Sequence, residues 1–305
     1  MKLILVRPRG FCAGVNRAVR MLARTCAEAG GKPIYVLHEI VHNYWVVEDF
    51  KKRGVRFVES LDRVPEGSTV LFSAHGVSPS VRLEAARRGL SAVDATCPLV
   101  ASLHRQARRF ADGGRHIFLI GHKGHQEVIG TLGEAPEKMT LVSSTADAQT
   151  LTLPESADPR KLTYLTQTTL SEEGWRSIVA ELRRRFPALA DPPGAGVCFA
   201  TRNRQEAVRR TAPEADALLV VGSANSSNSR RLAELGEKSG TRSFLINGPD
   251  DIDPSQFDSE TTLLMTAGAS APEEVFQLCV EKLARLFPVE IEERVICEEN
   301  AEFRC

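Results

Sequence analysis

Short apolar runs, each followed by a stretch of helical periodicity, recur from one end of the chain to the other and leave few folds open. They are KLILV, PIYVL, TVLFSA, HIFLIG, LTYLT, ALLVVG and TLLMTAG. Strand-length runs alternating with helical segments predict parallel sheets covered by helices, an α/β fold. In the first helical segment Val15, Ala18, Val19, Leu22 and Cys26 step by three and four residues. Arg17, Arg20 and Arg24 fall off that stripe, and Gly30 is placed to end the helix. Cys26 is therefore expected in the core. Cys279, on the stripe Val275, Phe276, Val280 and Leu283, carries the same expectation.

A repeat emerges when strand ends, rather than strands, are compared. The first third offers Cys12, His42 and His75; the second, Cys97, His125 with Glu127, and Thr168; the last, Cys198, Ser226 with Asn228, and Ser270. The cysteine precedes the second station by 30, 28 and 28 residues in turn. Three similar units follow, in keeping with a 305-residue chain, which is long for a single core. Ligands of open parallel sheets sit beyond the carboxyl ends of the strands, where loops meet helix N-termini. Three units facing one axis would bring a cysteine and a set of small polar donors from each to a common centre.

Composition narrows the partners. Thirty-nine basic residues balance thirty-nine acidic ones, so no global field draws the chain to nucleic acid or an anionic membrane. A run of four apolar residues, Leu3 to Val6, before Arg7 makes too short a core for a signal peptide, and no apolar run reaches membrane-spanning length, which predicts a cytoplasmic protein. The seven cysteines (Cys12, Cys26, Cys97, Cys198, Cys279, Cys297 and Cys305) are an odd, scattered set that disfavours a disulfide framework. No Cys-x-x-Cys occurs, which excludes zinc-finger and ferredoxin-type runs. Cys12, Cys97 and Cys198, at strand-to-helix junctions where helix N-terminal charge favours thiolates, suit either zinc with a water ligand or a cubane cluster with one open iron. Cys297 and Cys305 lie in an irregular acidic tail.

His38-Glu39-Ile40-Val41-His42 matches the zinc-protease pattern, which needs a helix to bring both histidines to one face; here a strand runs directly into His38. His122-x-x-His125 sits at a strand end and fails for the same reason. Instead His42, His75 and His125, with Thr168, Ser226, Asn228 and Ser270, form a donor set of the kind a phosphate or diphosphate requires, although no Walker or Rossmann glycine motif is present. The competing reading of the hydroxyls is structural: Ser270 with Glu273 spells a capping box, and Asn228 could cap the next helix. Glu127 is the sole carboxylate among the stations and a candidate proton donor, or a glutamate favoured by the helix dipole.

The blocks RGFCAGVNRAV, HEIVHNYWVVE, SAHGVSP, DATCPLV, IGHKGHQEVIGTLGE, TQTTLS, TRNRQEAV, GSANSSNS and TAGASAPEE, in this order, resemble the 4-hydroxy-3-methylbut-2-enyl diphosphate reductase family over about residues 1 to 285. The resemblance implies a trefoil of three pseudo-threefold-related αβ domains around a central cluster cavity: 14–97, 98–196, and 197–285 with 1–13, followed by a tail over 286–305. It implies one 4Fe-4S cluster held by Cys12, Cys97 and Cys198, with an open iron that polarises the substrate carbon–oxygen bond. A diphosphate site of His42, His75, His125, Ser226, Asn228 and Ser270 is likewise implied, with Ser227 beside them, and Glu127 and Thr168 handling the substrate hydroxyl and its proton. Ferredoxin or flavodoxin is the implied electron donor, and isopentenyl and dimethylallyl diphosphate the products, in the last step of the methylerythritol phosphate route. The tail, ending AEFRC, departs from the family by being short. Two rivals share these residues: a zinc- or cluster-dependent hydro-lyase without net electron input, and a cluster-based redox sensor. Replacing Cys97 by Ser is expected to abolish or severely weaken iron retention, because an alcohol oxygen is a poor match for iron–sulfur chemistry. Full iron content in that variant, measured after anaerobic purification, contradicts the ligand set.

Overall fold

The computed structural model describes Met1 to Cys305. In chain order it comprises β1 (Lys2–Arg7), α1 (Ala13–Glu28), β2 (Ile34–Leu37), α2 (Tyr44–Lys52), β3 (Arg56–Val58), β4 (Thr69–Phe72), α3 (Pro79–Arg87), β5 (Ser91–Asp94), α4 (Pro98–Asp112), β6 (His116–Ile120), α5 (Gln126–Leu132) and β7 (Met139–Val142). There follow α6 (Thr145–Thr150), β8 (Leu162–Thr166), α7 (Glu172–Arg185), β9 (Leu189–Ala190), α8 (Phe199–Thr211), β10 (Ala217–Val221), α9 (Ser227–Lys238), β11 (Arg242–Ile246), β12 (Thr262–Ala267), α10 (Glu273–Leu286) and β13 (Glu290–Val295). All seven apolar runs form strands. They build three sheets, ordered β11-β10-β12-β1-β13, β3-β2-β4-β5 and β7-β6-β8-β9. Every pairing is parallel.

By compactness the chain divides into two units, one of Met1–Val19, Val41–Gly54 and Phe199–Cys305, the other of Arg20–Ile40 and Val55–Cys198. The five-stranded sheet belongs to the first. Successive side chains of a strand point to opposite faces, and this sheet sorts them cleanly. Leu3, Leu5, Leu219, Val221, Leu263 and Met265 pack with Val275, Phe276, Cys279 and Leu283 of α10. Ile4, Val6, Leu218, Val220 and Leu264 meet Ala207 and Val208 of α8 and Leu232 of α9 on the other side. Both faces are covered, which is why the strand sequences are continuous apolar runs rather than alternating ones. Cys279 is fully buried, as the stripe predicted.

The second unit holds both four-stranded sheets. Phe118, Ile120, Leu162 and Tyr164 pack on Trp175, Ile178, Val179 and Leu182 of α7. Ile117, Leu119 and Leu165 take Leu103 and Ala107 of α4 and Val128 of α5 on the opposite face. Tyr35, Leu37, Val70 and Phe72 form the core of the other sheet with Ala85 of α3.

Two expectations need correction. Cys26 is only half-buried: Ala18 and Leu22 are enclosed while Val15 and Val19 are partly exposed, so the apolar face of α1 is narrower than its periodicity suggested. The tail is not irregular throughout. Residues Glu290–Val295 form β13, paired in parallel with β1 from Lys2 opposite Glu290 to Arg7 opposite Val295. Charge hides this strand from pattern reading. It is an exposed edge, stitched by Lys2–Glu292 at 2.8 Å and Arg7–Glu293 at 3.0 Å, and such charge keeps an edge from pairing with other chains.

Close backbone approach fixes the turn that follows β10. The Ser229 hydroxyl, wholly buried in the first turn of α9, lies against Gly222 after β10 and Gly268 after β12, where a Cβ on either glycine would overlap it. Gly268→Ala is expected to lower stability by about 1–3 kcal/mol through overpacking, with part of the loss recovered when Ser229→Ala is added. Urea denaturation of the two single variants and the double variant reads the coupling; strict additivity refutes the packing claim.

Candidate functional site

The stations from Cys12 to Ser270 all follow the carboxyl ends of strands, in the connecting loop or, for Glu127 and Asn228, in the first turn of the helix beyond it. Within the second unit, five of them form one connected path. The Cys97 N–H donates to the carbonyl of Ala74, next to His75, at 2.9 Å. The His75 ring stands edge-on to His125, centroids 5.7 Å apart. His125 caps α5: its Nδ1 accepts the backbone N–H of Glu127 at 3.2 Å, so the neutral ring carries its proton on Nε2 as a donor. Glu127 in turn accepts the Thr168 N–H at 2.6 Å on Oε1 and the Thr168 hydroxyl at 2.7 Å on Oε2. The path closes where the Cys198 N–H donates to the Thr168 carbonyl at 3.2 Å.

Two glycines allow this crowding. Gly130 of α5 rests against the carbonyl of Gly76, which a Cβ would approach to 3.1 Å. Gly76 itself, at φ +76°, has the His104 ring, Thr96 and Val100 around the place of a side chain. Glycine is thus required twice, once for its dihedral and once for closeness, and the two together bring the His75 loop against the start of α5.

Glu127 is the electrostatic centre of the set. Burial raises its carboxyl to about 7, against the opposing pull of the two Thr168 hydrogen bonds. Near neutral pH it therefore holds or releases a proton readily, as a general acid must.

The first unit gathers the remaining stations. The Cys12 N–H donates to the carbonyl of Ala269 at 3.0 Å, and the hydroxyl of the adjacent Ser270 donates to the carbonyl of His42 at 2.8 Å. Ser270 does not cap: the N-cap of α10 is Pro272, and Glu273 is drawn away to Arg9 at 2.9 Å, so the capping-box reading fails. Asn43 caps α2, and the N–H of Tyr44 donates to Ser223 after β10 at 2.9 Å, setting His42 beside that strand end. Ser226, not Asn228, caps α9 by accepting the Ser229 N–H at 3.3 Å. Ser226, Ser227 and Asn228 are all buried. Both polar atoms of the Asn228 side chain are buried without a hydrogen-bond partner. Native interiors tolerate few such groups, and this one stands in the first turn of a helix, where backbone N–H groups are also unpaired.

The donor set suits a soft metal. None of the seven cysteines is in a disulfide, and Cys12, Cys97 and Cys198 are all partly exposed. Cys97 is the N-cap of α4, while Cys12 and Cys198 immediately precede α1 and α8. By contrast the Cys279 thiol is pushed up to about 12 by burial and then by Asp251, which leaves it inert. Within neither unit do three His, Cys, Asp or Glu side chains stand close enough to hold a single ion. His38, at φ +60° in a loop, pairs with Glu59, so the protease pattern is a coincidence of letters.

Sequence reading missed several residues that shape the site. Ser73 bonds His75 Nδ1 at 3.1 Å, and Gln167, with no exposed surface, accepts the N–H of His122 at 2.9 Å. A glycine inside α5 was the available signal for the close approach at residue 76.

Comparisons with known proteins agree with one another. The model of the LytB protein family matches residues 3–284. A 4-hydroxy-3-methylbut-2-enyl diphosphate reductase from Rhodopirellula baltica is 49% identical over 303 residues, covering 99% of this chain and 94% of that protein. One of the same description from Gluconobacter oxydans is 49% identical, covering 100% and 91%. Among solved structures, the E-1-hydroxy-2-methyl-but-2-enyl-4-diphosphate reductase from Plasmodium falciparum superposes with a TM-score of 0.92 at 37% identity, covering 98% of this chain and 93% of that one. A second, of (E)-4-hydroxy-3-methyl-but-2-enyl diphosphate reductase, the terminal enzyme of the non-mevalonate pathway, gives 0.66 at 30% identity, covering 93% and 99%.

The raised carboxyl of Glu127 has a consequence for stability. The folded protein holds this proton more tightly than the unfolded chain, so between the ordinary value of 4.5 and about 7 folding loses stability as pH rises. Glu127→Gln removes that titration. The variant is expected to gain on the parent by up to about 3 kcal/mol between pH 5 and pH 8, measured by chemical denaturation; a gap independent of pH refutes the raised value.

Proposed function

The chain belongs to the LytB family, and on that footing we propose that it reduces (E)-4-hydroxy-3-methylbut-2-enyl diphosphate to isopentenyl and dimethylallyl diphosphate, the last step of the methylerythritol phosphate route. In the balanced reaction the allylic carbon–oxygen bond breaks, two electrons and two protons are taken up, and the oxygen leaves as water. Full-length identity to reductases of that substrate supports the reading. The observation that carries it is the Glu127–Thr168 pair, a carboxyl able to stay protonated at neutral pH beside a hydroxyl that can bind an alcohol.

Cys12, Cys97 and Cys198 are the proposed ligands of one 4Fe-4S cluster, three thiolates leaving one iron without a protein ligand. Bound there, the cluster supplies single electrons and Lewis acidity at its open iron. The Thr168 hydroxyl donates a hydrogen bond to Glu127 Oε2 when the carboxylate is ionised; beside the neutral carboxyl it accepts instead and turns its own proton to the substrate oxygen. Glu127, neutral for part of its time near pH 7, delivers the proton that lets water leave. His125 presents its Nε2 proton outward because its Nδ1 is already taken by the Glu127 N–H. With His42, His75, Ser226, Ser227, Asn228 and Ser270 it forms the proposed diphosphate site, and the unpaired amide of Asn228 gains in that role the partners it lacks within the protein. A small acidic electron carrier, ferredoxin or flavodoxin, is the proposed donor of the two electrons.

The test is anaerobic reconstitution with iron and sulfide, followed by assay of the hydroxylated diphosphate with and without a one-electron reductant. We expect about four irons per chain, as a single cubane demands, and turnover only with reductant. Turnover without reductant establishes the hydro-lyase instead. In Glu127→Gln we expect iron retained and turnover lost by roughly two to four orders of magnitude, the range for removal of a general acid. Unchanged turnover overturns the assignment.

A further inference from the structure

Arg204 of α8 has a side chain only 1% exposed, in a helix that begins one residue after Cys198. Its Nη1 donates to the Ala200 carbonyl at 2.9 Å and to Glu299 Oε2 at 2.9 Å, and its Nη2 to the Gly10 carbonyl at 2.9 Å. Glu299 also accepts from Asn203 Nδ2 at 3.0 Å. The C-terminal segment carrying Glu299 is tied down a second time where Arg17 of α1 donates to the Arg304 carbonyl at 2.8 Å. It walls a cavity of about 610 Å³ whose lining includes Phe11, Ala13, Asn16 and Arg204.

A buried guanidinium is costly, and an apolar side chain of similar length would fill the space at least as stably. What an apolar replacement cannot supply is a directed donor to the Gly10 carbonyl. Gly10 stands at φ +70°, two residues before Cys12, and its N–H donates to the Ala267 carbonyl at 3.3 Å. The turn carrying Cys12 is thus held from the strand side by Ala267 and Ala269, and from the helix side by Arg204.

We propose that Arg204, neutralised by Glu299, is a positioning residue for Cys12: it clamps the Gly10 carbonyl, and through it the turn that presents the thiolate to the cluster. This rests on the cluster reading above. Outer contacts of this kind orient metal ligands without touching the metal. The C-terminal segment is then part of the ligand scaffold, because Glu299 supplies the charge that lets Arg204 remain buried.

The test uses the full-length chain as Arg204→Met, Arg204→Lys and Glu299→Gln, against the parent. Hydrogen exchange by mass spectrometry over residues 8–13 is followed with the melting temperature in the apoprotein, and iron release to a chelator in the reconstituted protein. We expect faster exchange confined to residues 8–13 and iron release accelerated roughly tenfold to a hundredfold, the span seen for outer-sphere partners, in Arg204→Met and Glu299→Gln. Arg204→Lys, which keeps the charge and loses the fork, is expected to behave like Met. Should Arg204→Met fail to fold, Glu299→Gln decides. Parent-like exchange and release in Glu299→Gln, or faster exchange spread over the whole sheet in step with a lower melting temperature, overturns the proposal. A parent chain that takes up no iron overturns the cluster reading instead, while the apoprotein exchange still judges the clamp on the turn.

Discussion

Parallel pairing obliges every strand of a sheet to deliver its chain at the same edge, and the chemistry of this protein follows from that constraint. Each sheet is parallel throughout. The loops after β1, β2, β4, β5, β6, β8, β9, β10 and β12, or the first helical turns beyond them, therefore carry all the candidate ligands and donors. A helix N-terminus offers unpaired N–H groups and partial positive charge, a setting for thiolates and phosphates alike. Sheets buried on both faces supply the rigidity, so the functional side chains sit on short turns anchored at both ends.

Environment, not residue type, sets the roles within those turns. Glu127 and Glu273 both lie in the first turn of a helix. Glu127 is withdrawn from water and meets no cation; its only strong partner is Thr168, and it keeps a proton near neutrality. Glu273 is partly exposed and paired with Arg9, a structural tie between the β1 loop and α10. The cysteines divide in the same way. Cys279, deep in the core of the first unit, is an apolar side chain in practice, whereas Cys12, Cys97 and Cys198 at the strand ends remain partly accessible.

Much of this was legible from one-dimensional pattern because the buried strands are continuous apolar runs and the site residues recur at their ends. Cys279 could be placed in the core from its stripe. Less legible was whatever depends on a partner distant in sequence. Ser270 reads as a capping residue until the His42 carbonyl is found at its hydroxyl, and Glu273 as its partner until Arg9 claims it. β13 has the composition of a solvated tail, since the pairing that makes it a strand is carried by backbone and charge rather than by apolar side chains. Cys26 sits on the right stripe, but the stripe is only partly covered. Arg204 looks like any surface arginine in a basic helix, because burial against the Glu299 side chain, distant in sequence, leaves no local trace.

The amide of Asn228 is enclosed with neither nitrogen nor oxygen engaged. On the diphosphate reading proposed above, an oxyanion beside it would accept from the amide nitrogen, whereas an isosteric apolar tail would leave that donor unpaired. Selectivity against uncharged prenyl analogues would then lie in the hydrogen bonds that one guest makes and the other cannot.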